Sequence, residues 1–241
     1  MHQLSRSSVD RAHQMLEMLI ERVPSHPMPH AWLAKLYLFR ASQGWTGDFA
    51  VEAQLALDSS TRALEADSTC SLALAVDGYV QTHFLKRFDI AMDRFDLAVE
   101  VNPNESLAWL LKGTMHAFMG EGAPAISGAE KALRLSPLDP RRWYYDSHAA
   151  TAALAAEDYR RAIDLARRSL KGNRTHTSTY RALIIAQCLA GQTDEARLTA
   201  AELMQLQPGL TVGEYRKRHP TKDFATGAIW ADALKQAGVP D

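Results

Sequence analysis

Cysteine is scarce in this chain: two residues in 241, Cys70 and Cys188, lie far apart and each falls inside an apolar helical pattern. A disulfide framework is thereby excluded, and buried free thiols in a reduced, cytoplasmic setting are expected. Charge of one sign is missing too. With 27 Lys and Arg against 28 Asp and Glu, the formal net charge is -1, so the field that draws a module onto phosphates is absent and no direct nucleic-acid binding is expected. No apolar run approaches a membrane span, and Met1 to Asp10 holds no basic segment followed by an apolar one, so neither a membrane helix nor a signal peptide is expected. Glycine-rich phosphate loops, nucleophile elbows and paired metal-ligand motifs are lacking as well, which leaves no basis for an enzyme, a metal or a cofactor. The nine histidines do not change this. His26 and His30 flank Pro27 and Pro29 in a turn, His13 sits among polar neighbours, and the cysteines join none of them.

What the sequence has is a period. Ala91, Ala125, Ala162 and Ala196 recur at intervals of 34, 37 and 34 residues, and 12 residues after each come Pro103, Pro137, Arg174 and Pro208. Three of these four are prolines that stop a helix. Between the markers, Trp109, Gly113, Gly120, Ala125, Ala132 and Pro137 fill one unit, and Tyr180, Gly191, Ala196 and Pro208 repeat the spacing; Ala162, Ala166 and Ser169 serve the unit between. Small residues at a helix crossing let two antiparallel helices approach, and a large aromatic fills the gap beside them. An earlier unit, Trp32 through Ala56, Ala63 and Asp67, is about 8 residues longer because of the turn Gly44-Trp45-Thr46-Gly47-Asp48. The next, Leu74 through Gly78, Ala91, Phe95, Ala98 and Pro103, carries one extra residue in its first half, near the inter-helix turn.

These residues resemble the tetratricopeptide repeat (TPR) family. The resemblance implies an all-α, right-handed superhelical solenoid of antiparallel helix pairs. The expected array spans 1–208, with a half-repeat over 7–24 and five repeats over 29–68, 71–103, 106–137, 140–174 and 177–208. Ala12 and Pro24 repeat the 12-residue spacing, with Leu16 and Leu19 on the face that would meet a first helix. Ser7 with Asp10 is the expected cap of that half-repeat, Val9 to Val23, whose first helix is expected to precede Met1 in a longer protein. Residues 209–241 break phase and are expected to form a helical cap. Thr211 to Glu214 matches a capping box, Pro220 ends a short helix, and Phe224, Ala228, Ala231 and Leu234 line one face of a last one. The tail from Pro208 to His219-Pro220 and from Leu234 to Asp241, with Ser136-Pro137-Leu138-Asp139-Pro140, is similar to the C-terminal TPR region of bacterial winged-helix regulators or class III nucleotide cyclases.

The resemblance places the first helix of each repeat on the concave side and projects a groove of Tyr37, Arg40, Tyr79, His83, Thr114, Phe118, Tyr144, His148, Thr151 and Arg181. Slots that hold a carboxylate clamp in TPR co-chaperones are Leu33, Tyr37, Val76, Leu107 and Leu111 here, so that clamp is absent. A groove of this character suits an amphipathic helix or an extended apolar peptide. The expectation is a non-catalytic protein-binding module, the regulatory or sensory region of a larger bacterial signalling or transcription-regulating protein. The alternatives are a small-molecule sensor using Tyr144, His148 and Arg181, and a self-association block forming a homo-oligomer. The basic runs Arg216-Lys217-Arg218-His219 and Arg167-Arg168 are read as a solvated face and as helix C-terminal cations.

Overall fold

The computed structural model describes residues 5–241, and thirteen α-helices follow one another along them. They are α1 (Arg6–Arg22), α2 (Pro27–Ser42), α3 (Phe49–Ala66), α4 (Ser71–Val80), α5 (Phe88–Val101), α6 (Ser106–Met119) and α7 (Gly122–Leu135), then α8 (Arg142–Ala155), α9 (Tyr159–Gly172), α10 (Thr177–Leu189), α11 (Thr193–Leu206), α12 (Val212–Arg218) and α13 (Ala225–Gln236). Residues 1–4 of the expected array lie outside the described residues. From α2 onward the helices pack as consecutive antiparallel pairs, α2 with α3, α4 with α5, α8 with α9 and α10 with α11.

Three of the pairs end by the same local chemistry. Asn102, Ser136 and Gln207 cap α5, α7 and α11 with φ between -131° and -137°, because the proline that follows each one bars the helical conformation. Arg174 stands where the fourth proline would be, and an Asx turn replaces it: Asn173 (φ -145°) accepts from the Thr175 N–H through Oδ1 at 3.1 Å. At the other boundaries the caps differ from the sequence-based expectation in one case. α1 starts at a Ser5/Ser8 capping box rather than at Ser7 and Asp10, since Ser5 Oγ accepts from the Ser8 N–H while Ser8 Oγ accepts from the Ser5 N–H. Cys70 is the N-cap of α4 and only half-buried, whereas Cys188 is buried within α10. The long turn of the first full pair closes on Asp48, which accepts from the Ala50 and Val51 N–H groups. The extra residue of the next pair is absorbed as a π turn, Gln81–Leu85, ended by Lys86 at φ 58°.

Two compact units form within the described residues, 5–112 and 113–241. In the N-terminal unit Leu74, Ala75, Ala98 and Ala108 make one core, with Leu64 and Val99 packed on it. Phe95 is fully buried there, and its ring lies 3.1 Å from where a Cβ on Gly78 would be. Glycine opens the space that the ring fills. In the C-terminal unit a Cβ on Gly113 would stand 2.9 Å from the Ala125 carbonyl oxygen, so α6 and α7 touch backbone to backbone. The periodic alanines Ala91, Ala125, Ala162 and Ala196 are all 0–1% exposed, which gives the repeat its physical cause: only a methyl fits at these crossings.

The C-terminal capping helix is α13. Thr211 caps α12 by accepting from the Glu214 N–H at 3.1 Å, Pro220 opens a 3-10 turn over Pro220–Asp223, and α13 then packs on α10. Cys188 on α10 donates to the Ala233 carbonyl at 3.3 Å, and Thr226 donates to the Phe118 carbonyl at the end of α6 at 3.0 Å. α13 therefore reaches from α10 to α6 rather than only covering the last helix pair.

Candidate functional site

In the N-terminal unit the projected groove residues are mostly interior. Tyr37 is 5% exposed, its hydroxyl 2.9 Å from His13 Nε2 and its ring edge-on to that imidazole. Burial, then Glu17 and Glu52, pushes its phenol up. Arg40 keeps partial exposure and pairs with the buried Glu52 at 3.0 Å; burial raises the Glu52 carboxyl while Arg40 and His13 act against it. Tyr79 and His83 are buried with ring centroids 5.7 Å apart, on α4 and its π turn. These side chains form a packing layer between helices.

The C-terminal unit brings the remaining residues closer to one surface. Tyr144, His148 and Thr151 lie at helical spacing on α8, all half-buried. His148 Nδ1 is 2.8 Å from the buried Thr114 hydroxyl, and its ring meets Tyr144 edge-on at 4.4 Å. Beneath them His176 is fully enclosed, its Nδ1 2.6 Å from Thr179 Oγ1, which donates in turn to Ser147 Oγ. Burial, then the neighbouring His148 and Arg181, holds the His176 pKa well below the usual imidazole range. Arg181 donates to Gln207 Oε1 at 2.9 Å and to Ser178. Phe118 is buried, not open: the His219 ring stands edge-on to it at 5.0 Å.

Arg168, Arg216 and Arg218, among the charged residues singled out by sequence, are held in ion pairs. Arg168 grips the buried Asp146 carboxylate with two hydrogen bonds at 2.7 and 2.6 Å, and Arg142 adds a third at 3.1 Å. A cross-helix ion pair, rather than the helix dipole, therefore holds Arg168. Arg216 pairs with Asp232 and Arg218 with Glu214, while His219 stacks on Tyr215. A charged cleft of about 430 Å³ lies beside α7 and α9, lined by Asp158, Arg160, Arg161, Asp164 and Arg168; Arg161 there is drawn to Glu130 at 2.7 Å. Among the described residues no group of three or more His, Cys, Asp and Glu side chains is placed to hold a metal ion, and no helix is long and apolar enough to cross a membrane.

The groove projection missed the surface of α1. Met15, Met18, Leu19 and Val23 are 64%, 53%, 45% and 43% exposed. Beside them an apolar cleft of about 230 Å³ opens between α1 and α2, lined by Leu16, Leu19, Val23, Met28 and Trp32 among others. The signal was in the sequence: Leu16 and Leu19 sit on the face that the second helix of a pair gives to its first.

Stacked antiparallel helix pairs, crossing on small residues and ended by proline or Asx turns, define a TPR-type all-α solenoid. The solved structures agree. The chain is similar to PilW, a widely conserved type IV pilus biogenesis factor, with 19% identity over 88% of this chain and 93% of that one and a TM-score of 0.60. It is similar to TTC0263, a thermophilic TPR protein of Thermus thermophilus, with 18% identity over 77% and 92% and a TM-score of 0.56. It is also similar to a monomeric mutant of IFIT1 solved with m7Gppp-AAAA, with 13% identity over 96% of this chain, 55% of that one and a TM-score of 0.67. At these identities the likeness concerns the fold. No protein-family model and no curated protein matches the sequence. The resemblance of the tail to winged-helix regulators and cyclases finds no support in these structures.

Proposed function

We propose that this chain is a non-catalytic scaffold that binds a protein partner through apolar helix faces. The observation that carries this is the open flank of α1, where Met15 and Met18 stand more than half exposed beside the α1/α2 cleft. Methionine is flexible and polarisable and adapts to a partner's surface, and an apolar patch of this kind marks an interaction site. The spacing from Ala12 to Pro24 makes α1 the second helix of a pair. An apolar flank of this kind suits an amphipathic helix of the partner. In the C-terminal unit, Tyr144, His148, Thr151 and Arg181 supply the half-buried contact face of the same reading. Its extension to a regulatory region of a larger bacterial protein rests on the sequence likeness of the tail from Pro208 to Asp241, and a cytoplasmic setting on the free thiols Cys70 and Cys188.

The test is affinity capture with identification of the captured protein. Met15→Glu with Met18→Glu is expected to reduce capture of a given protein at least about ten-fold, the effect of one poorly paired contact, while Leu138→Glu, at a 92% exposed loop position, leaves it unchanged. Equal capture by all three chains refutes the α1 assignment.

A further inference from the structure

The inner helices of the C-terminal unit are not bare. Residues 209–241 lie across them, with Thr226 on the Phe118 carbonyl of α6, His219 against the Phe118 ring and Ala233 on Cys188 of α10. α6 and α10 are the first helices of repeats two apart, so the segment spans the side of the unit where first helices face. A Cβ at Gly120 would be 3.2 Å from the Thr226 methyl, so the seat is close at the α6 end as well.

The segment is also closed on itself. Four ion pairs join its own residues: Arg216 with Asp232, Arg218 with Glu214, Lys222 with Asp223 and Lys235 with Asp241. The Val212 N–H donates to the Pro240 carbonyl at 2.7 Å, tying its end to its start. α13 is buried along its length, with Trp230, Ala231, Ala233 and Leu234 all at most 3% exposed between α10 on one side and α12 with the 3-10 turn on the other. It thus has the form of a docked ligand: a helical hairpin carrying its charges internally and presenting small residues around one tryptophan.

We propose that the face formed by α6 and α10 is a helix-docking surface that the chain's own C-terminal segment occupies in cis. The partner it takes is an amphipathic helix with the α13 pattern, one large aromatic among alanines and a leucine, which must displace that segment to bind. The proposal rests on the protein-binding reading above and adds the chemistry of the partner and a built-in competitor. Held by a short link at Pro208-Gly209, the segment competes at an effective concentration on the order of millimolar, so only a partner that reproduces its contacts displaces it.

Cys188 reports on this seat because Ala233 covers it, while Cys70 in the N-terminal unit serves as an internal reference. A protease site is inserted between Pro208 and Gly209 in the full chain, which is folded and then cut. The expected result is that helicity is kept, that a fluorescent peptide of residues 209–241 exchanges in saturably, and that washing out the native segment raises Cys188 alkylation at least about ten-fold with Cys70 unchanged. The same peptide carrying Trp230→Ala binds at least about ten-fold more weakly. In the uncut chain Trp230→Ala gives the same selective rise at Cys188. Collapse of helicity on cutting, failure of the peptide to enter, or unchanged Cys188 reactivity overturns the proposal, and exchange seen only between two chains as a stable dimer overturns it in favour of a second copy. Failed exchange alongside capture that depends on Met15 and Met18 removes this proposal alone; successful exchange with unaltered capture removes the α1 assignment alone.

Discussion

Substituting alanine at Gly78 is expected to destabilise the natural protein and stabilise one that lacks the Phe95 ring. The Phe95 ring is fully buried, with Cε1, Cζ and Cδ1 3.1 to 3.2 Å from the position of an added Cβ. Alanine in a helix interior gains about 1 kcal/mol over glycine from backbone entropy, but forcing a methyl against an immobile ring costs about 1–3 kcal/mol. Gly78→Ala alone therefore lowers stability by about 0–2 kcal/mol. Phe95→Ala alone costs about 3–5 kcal/mol, transfer and cavity together. In that background the methyl enters the vacated space, so the propensity gain is kept and part of the cavity is filled, a net stabilisation of about 1–2 kcal/mol. The coupling between the sites is then about 1–4 kcal/mol, with a change of sign for Gly78→Ala. Urea unfolding followed by far-ultraviolet circular dichroism on the four proteins of the cycle measures it. Equal effects of Gly78→Ala in both backgrounds would show that the ring does not set the size of residue 78, and the account of the small-residue crossings would fail with it.

Three further outcomes are expected. His176 is buried neutral with its pKa held well below the usual range by burial, His148 and Arg181; the folded state refuses the proton, so stability is complete above the unfolded value of 6.5 and falls as pH drops through it, by at most about 1.4 kcal/mol per unit. Urea midpoints above and below that value should differ less in His176→Gln than in the natural chain, and equal pH dependence would refute the assignment. Arg168→Ala should cost only about 1–2 kcal/mol, less than a fully buried pair, because its side chain is 53% exposed and Arg142 still reaches Asp146; a loss above about 4 kcal/mol in thermal unfolding would mean Asp146 is left unpaired. Gly227→Ala should destabilise by about 3 kcal/mol, since its Cβ would stand 2.2 Å from the Thr221 carbonyl oxygen, and a stability within about 0.5 kcal/mol of the natural chain would show that this turn yields freely.

The sequence by itself determined the helix pairs and their crossings, because both are set by local chemistry at fixed spacing. Alanine and glycine at 34- to 37-residue intervals mark where backbones approach, and Pro103, Pro137 and Pro208 force the extended caps that end three of the pairs. The extra residue after Gly78 was countable, though not its resolution into a π turn. The contact face was less legible. A projection by repeat register says which side of a helix points inward but not what fills the space, so Tyr37, Tyr79, His83, Thr114 and Phe118 were placed in a groove although neighbouring helices or the tail bury them. Only the tertiary structure decided that Arg168 serves Asp146, that α1 keeps an open methionine flank, and that residues 209–241 fold back onto α6 and α10. Each of these depends on residues between 22 and 108 positions apart or on which surfaces remain uncovered once every helix has packed, and neither is written in any local period.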